Sequence, residues 1–137
     1  MFENPSPGRI RELLLTVRTI AVLGLSNNPA RPSYRVAQAM QGLGYRIVPV
    51  RPGQTEVLGE KAYASLSELP QAPDLVDVFR APEHVPAIVD ECIRLGVKAL
   101  WLQEGVVHAE AAARAAAAGI LVVMDRCVWK EHQALLP

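Results

Sequence analysis

Five short apolar runs, each rich in β-branched residues and each set off by Gly, Pro or charged breaks, constrain this chain more than anything else in it. They occupy residues 20–23, 45–50, 75–79, 97–102 and 120–124. Runs of this kind, apolar without strict alternation, belong to strands covered on both faces, the condition of a parallel sheet. Helical spacing lies between them. Val36, Ala37, Met40 and Leu43 repeat at helical intervals up to Gly44, and Val85, Ile88, Val89, Cys92 and Leu95 do so up to Gly96. The alanine-rich stretch 109–118 reads as helix because Ala is the best helix former. This rhythm of βαβ units predicts an α/β fold, a doubly wound, Rossmann-like parallel sheet. About five strands are expected, in order 3-2-1-4-5, with helices on both faces.

The remaining segments are less regular. Residues 1–8 carry two prolines and a glycine and predict an irregular start, followed by a short helix on Ile10, Leu13, Leu14 and Val17. Gly53, Gly59, Pro70 and Pro73 mark turns across 53–73, with one helical turn over 65–69. The residues after 127 read as a C-terminal tail, with His132 on its surface.

A chain of 137 residues can bury about two thirds of its unfolded surface, so a single domain over 1–137 is expected. Its 14 basic and 14 acidic side chains cancel, leaving no general field for nucleic acid or an anionic membrane. Any anion site must therefore be local. Cys92 and Cys127 have no metal-ligand spacing around them and no signal peptide ahead of them, which predicts a reduced, cytoplasmic setting and no metal. No run approaches the roughly 20 apolar residues that span a bilayer.

In a doubly wound sheet, ligands bind outside the carboxyl ends of the strands, where the strand order reverses. The unusual polar clusters of this chain fall at those ends. The first strand stops at Gly24 and runs into Ser26, Asn27, Asn28, Pro29, Ala30 and Arg31 before Pro32 and Ser33 open a helix. A strand, a tight loop and a helix N-terminus present free N–H groups and the positive end of a helix dipole, which favours phosphate. Arg31, Ser26 and Ser33 add side-chain donors. The dinucleotide fingerprint G-x-G-x-x-G keeps only its first glycine here, and Ser26 in place of the second points to a differently placed phosphate. The second strand ends at Arg51, Pro52 and Gln54, where NAD sites carry an acid and a basic residue suits a further phosphate on the sugar. The third ends at Phe79, Arg80 and Ala81, the fourth at Gln103, Glu104 and Gly105, and the fifth at Asp125, Arg126 and Cys127. These five ends should share one rim.

Catalysis would need a nucleophile beside a base that a third group holds. His84 and His108 open helices, and Glu104 and Asp125 form a carboxylate pair only if the loops bring them together. Cys127, with Arg126 beside it, is the one reactive thiol on the rim, to be weighed against an inert half-buried one. No complete catalytic site is expected.

Taken together, the first loop, Arg51-Pro52, Phe79-Arg80-Ala81-Pro82, Gln103-Glu104-Gly105 and Asp125-Arg126-Cys127 resemble the small stand-alone CoA-binding proteins. Those in turn are similar to the N-terminal CoA-binding domain of the succinyl-CoA synthetase alpha subunit. The resemblance covers nearly all of residues 15–132. It implies that coenzyme A or an acyl-CoA is held by Asn27 to Ala30, by Pro52 to Gln54 and by Phe79 to Ala81. Glu104-Gly105 and Cys127 match the family's Glu-Gly and cysteine. Gln54 stands where the synthetase has a lysine, and Arg51 is placed to replace that charge. The synthetase's phosphorylated histidine lies in a second domain beyond the matched region, so phosphoryl transfer does not carry over. Two alternatives stay open: an NADP-binding redox or regulatory protein, and a subunit of a split acyl-CoA synthetase whose histidine sits on a partner.

Overall fold

The computed structural model describes residues 2–137; Met1 lies outside them. The described chain runs α1 (Pro7–Thr16), β1 (Thr19–Leu23), α2 (Pro32–Gly42), β2 (Arg46–Val50), β3 (Glu56–Val57), β4 (Glu60–Lys61), β5 (Leu75–Val78), α3 (Val85–Leu95), β6 (Ala99–Leu102), α4 (Ala109–Ala117), β7 (Leu121–Met124) and α5 (Val128–Leu135). Single 3₁₀ turns stand at Leu66–Glu68 and Pro82–His84. Five strands form one parallel sheet with helices on both faces, as expected. Ala21 and Leu23 of β1 point into a core covered by α3 and α4. Ile20 and Val22 point the other way, into a core covered by α1, α2 and α5. This period-2 division of one apolar run is why the strands need no polar face.

The strand order differs from the one expected. Counted along the chain, the five strands of the sheet run 2-1-3-4-5, not 3-2-1-4-5. β5 pairs with β1 in register Ile20↔Leu75 to Leu23↔Val78, so β2 is left at the edge. Pro49 is the reason. It has no N–H to give, and proline is tolerated within a sheet only on an edge strand or at a bulge. The outer edge of β2 is instead closed by Tyr63, whose N–H donates to Pro49 O at 3.0 Å while Arg51 N–H donates to Tyr63 O at 2.8 Å.

Two further elements depart from expectation. The segment 53–73 holds a small antiparallel hairpin, β3 against β4, turned by Leu58 at φ 55° and Gly59 at φ 76°. The C-terminal residues form α5, not a surface tail, and His132 is half-buried, edge-on to Tyr45 at 5.9 Å. The start is also more regular than expected, because Ser6 caps α1 by accepting Arg9 N–H and Pro7 sits in its first turn. Among the described residues no helix is long and apolar enough to cross a membrane.

Candidate functional site

With β1 and β5 adjacent and their crossovers running to opposite sides, the strand order reverses between them, and an open cleft of about 800 Å³ lies over their carboxyl ends. Gly24 makes the junction possible. Its φ of 81° is a left-handed conformation, and a Cβ there would stand 2.3 Å from Phe79 O. Gly24 N–H donates to Val50 O at 3.0 Å and Phe79 N–H to Leu23 O at 2.9 Å, so the ladder persists to the edge of the cleft.

The loop after Gly24 is held by its own side chains. Ser33 Oγ accepts Ser26 N–H, Ser26 Oγ accepts Asn28 N–H, and Asn28 Oδ1 accepts Ala30 N–H, each at 3.0 Å. The oxygens of Ser26, Asn28 and Ser33 are thus committed to loop backbone, and the hydroxyl hydrogens of the two serines remain for a ligand. No side chain caps the first turn of α2.

Of the residues singled out in the sequence, Gly24, Ser26, Asn28, Arg31, Ser33, Arg51, Pro52, Phe79, Arg80, Ala81, Gln103 and Cys127 line this cleft. Asn27, Pro29, Ala30 and Gln54 do not; the first three are exposed in the loop and Gln54 is half-buried ahead of β3. Pro32, Val36, His84, Glu104 and Val106 also line it. Nothing in the sequence separates Val36 from the core face of its helix. Arg31, Arg51 and Arg80 enter none of the ion pairs found among the described residues, which are Arg94–Glu91, Arg114–Asp90, Arg126–Glu131 and Lys130–Glu104. Three guanidinium groups therefore line one cleft without an ion-pair partner among the described residues.

Residues 18–133 match the family model described as a CoA binding domain. The chain belongs to the CoA-binding domain family. It is 41% identical over 130 residues to the uncharacterized protein YneT of Bacillus subtilis, covering 95% of this chain and 96% of YneT. A hypothetical protein from Pyrococcus horikoshii OT3 superposes over 100% of both chains with a TM-score of 0.92 at 34% identity. The alpha subunit of acetate–CoA ligase (ADP-forming) II of Pyrococcus furiosus is 37% identical over 82 residues, 59% of this chain. The matched stretch is only 18% of that subunit's length.

In this CoA-binding domain the hydrogen bonds around the cleft separate the groups that catalysis would have to join. Glu104 is paired with Lys130 at 3.0 Å, while Asp125 Oδ1 accepts Gly105 N–H at 2.8 Å, so the two carboxylates serve different partners. His84 lines the cleft; His108 caps α4 through Nδ1, which accepts Ala111 N–H at 3.1 Å. Arg126, expected beside the thiol, turns to Glu131 at 3.7 Å. Cys127 itself is 6% exposed and caps α5 through its backbone position.

The acid that interrupts the third apolar run, given no role by the sequence, is buried in the structure. Asp77, in the middle of β5, is 1% exposed, and its Oδ1 accepts Gln103 Nε2–H at 2.7 Å. Burial pushes its carboxyl up to about 7, against the opposing hydrogen bonds from Gln103 and from Val78 N–H. The available signal was an acid inside an otherwise apolar strand, which must find a partner once buried.

Proposed function

We propose that this chain binds coenzyme A or an acyl-CoA across the carboxyl ends of its sheet and performs no reaction alone. The observation that carries the reading is the set of three unpaired arginines, Arg31, Arg51 and Arg80, around one cleft in a CoA-binding family member. Coenzyme A carries a diphosphate and a ribose 3′-phosphate, and guanidinium forks bind such groups bidentately. The loop from Gly24 to Ser33, with the uncapped start of α2, suits the diphosphate. Arg51 and Pro52 suit the 3′-phosphate, and Phe79 to Ala81 the turn between them. The arm then runs toward Gln103 and Cys127. The cleft volume falls within the roughly 300–1,000 Å³ common for such ligands. Asn27, Pro29, Ala30 and Gln54 belong to this reading only through closure of the loops on the ligand.

A binding role fits the bonds that the cleft side chains make, which hold loop backbone. None of the hydrogen bonds among the described residues joins Ser26, Ser33 or Cys127 to a histidine or carboxylate. Calorimetric titration with CoA and NADP side by side tests the ligand: CoA should bind and NADP should bind far more weakly, and the reverse order overturns the reading. Likeness to the ligase alpha subunit favours a second reading, a subunit whose catalysis lies on a partner chain. Release of acyl groups or phosphate only when a captured partner is added would decide for it.

A further inference from the structure

Asp77 is the one carboxyl group that the described residues bury. On β5, Leu75 packs with the α1, α2 and α5 layer while Val76 and Val78 pack on the opposite face, so strand alternation turns Asp77 toward that same layer. Its lateral neighbours are Val22 of β1 and Trp101 of β6. The core on this face takes Val36 and Ala37 from α2 and Val128 from α5, with Tyr34, Tyr45 and Cys127 packed in it. The basic group on this layer, His132 of α5, is half-buried and stands edge-on to Tyr45 at 5.9 Å. The nearest basic residues in sequence to Cys127, Arg126 and Lys130, pair with Glu131 and Glu104. Gln103 is the side-chain partner of Asp77.

An amide has a donor end and an acceptor end, and only Nε2 can donate to a carboxylate. With Nε2 held by Asp77, Gln103 Oε1 accepts no hydrogen bond from the protein, yet no buried side-chain oxygen is left without a partner. Gln103 lines the cleft, so Oε1 is the end that opens on it. A protonated Asp77 could instead donate to Oε1, which turns the amide round and presents N–H to the cleft.

We propose that Asp77 is a positioning residue that fixes the polarity of the cleft floor. As a carboxylate it holds Gln103 by Nε2, and Oε1 then accepts a hydrogen bond from an N–H, O–H or S–H group of the bound ligand. The identity of that donor rests on the CoA reading: the pantetheine arm carries two amides and a thiol, whereas the nucleotide end is read elsewhere by the arginines.

The test has an arm that needs no ligand. In the free protein, the side-chain amide signals of Gln103 should titrate in NMR with a midpoint of about 7, and the titration should vanish in Asp77→Asn. Signals that stay fixed from pH 5 to pH 9 and are also unchanged in Asp77→Asn overturn the proposal. In the ligand arm, Asp77→Asn and Gln103→Met should each weaken CoA about three- to tenfold, the scale of one neutral hydrogen bond. Adenosine 3′,5′-bisphosphate, which lacks the arm, should bind both variants as it binds the parent protein. CoA affinity of the parent should rise with pH as Asp77 ionises, and Gln103→Met should remove that slope. Equal losses for CoA and the bisphosphate would mark Asp77 as structural only, and overturn the proposal even if one variant folds poorly. A parent protein that binds neither ligand overturns the CoA reading and the assigned donor, while the amide titration still decides whether Asp77 sets the orientation of Gln103.

Discussion

Asp74 and Asp77 stand three positions apart, one just before β5 and one within it, and the protein uses them in opposite ways. Asp74 lies at the amino end of the sheet, exposed, with Oδ2 accepting Arg18 N–H at 2.8 Å and Thr19 N–H at 3.1 Å. Its partial burial pushes the carboxyl up, but those two N–H groups, the Thr19 hydroxyl and the Arg18 charge outweigh this and hold it below the ordinary value. It pins the start of β1 to the start of β5. Asp77 lies nearer the carboxyl end, buried against apolar neighbours, and burial raises it. One end of the sheet commits its polar groups to the fold. The other leaves three arginines without ion-pair partners and keeps a buried acid bonded to Gln103, which lines the same cleft.

The largest effect should come from a position at the cleft end that is nonetheless structural. Gly24→Ala forces a Cβ toward Phe79 O at 2.3 Å and a side chain into φ 81°. Left-handed strain and the clash together should cost roughly 2–4 kcal/mol, read from the midpoint of urea unfolding. A loss under about 1 kcal/mol would show that the β1 and β5 loops part easily, and the division between the two ends would be less sharp than drawn.

Arg51→Glu should separate affinity from stability. Removing one charge-assisted contact and adding repulsion should weaken CoA by roughly 1.5–3 kcal/mol, with 3′-dephospho-CoA losing much less and the melting temperature little changed. Equal losses for the two ligands would take Arg51 away from the 3′-phosphate. Asp74→Asn should do the converse, lowering stability by about 1 kcal/mol because water competes at this exposed site, with CoA affinity unchanged.

The same pair predicts two limbs in the pH dependence of melting. Asp74, depressed in the folded state, contributes stability above its ordinary value of about 3.9 that is lost as pH falls through the folded value. Asp77, raised in the folded state, contributes stability fully present below about 3.9 and lost as pH rises toward about 7. Asp74→Asn should therefore flatten the acid limb and Asp77→Asn the decline between about pH 4 and about pH 7. If a single variant flattens both limbs, the two acids are not independent.

How far the sequence disclosed this arrangement follows from the range of each signal. The five strands were legible because each is a local apolar run, and the layering because helical spacing fills the gaps. Strand order is a pairing of distant segments, yet Pro49 carried the answer: a strand that lacks an N–H in its middle belongs at an edge. Reading it would have moved β5 beside β1. The hairpin at Glu56–Lys61 went unread because two-residue strands show no periodicity, and its turn uses Leu58 at positive φ. α5 went unread because its apolar face is mixed with Lys130, Glu131 and His132. In the cleft, charged residues at strand ends announced themselves, but Val36 and Val106 look like any core valine. The Asp77–Gln103 pair spans 26 positions and exists only once β5 and β6 lie side by side.

The smallest effect should appear at the two cysteines, which repeat the contrast in one chemistry. Cys92 lies within α3 at 0% exposure, and burial, with the Glu91 charge adding to it, pushes its thiol up to about 12. A thiolate is the nucleophile in alkylation, so Cys92 should stay unlabelled by iodoacetamide in the native protein at neutral pH. Cys127, 6% exposed, opens on the cleft and should label slowly. If the arm of CoA runs over it, saturating CoA should slow that labelling severalfold, whereas adenosine 3′,5′-bisphosphate should leave it unchanged. Intact mass over time gives the rates, and Cys127→Ser removes the labelled species. Protection by both ligands alike would place the nucleotide end over Cys127 and turn the proposed pose end for end. Protection by neither would send the arm past Glu104 and away from α5, which the affinity of Glu104→Ala for CoA would then report.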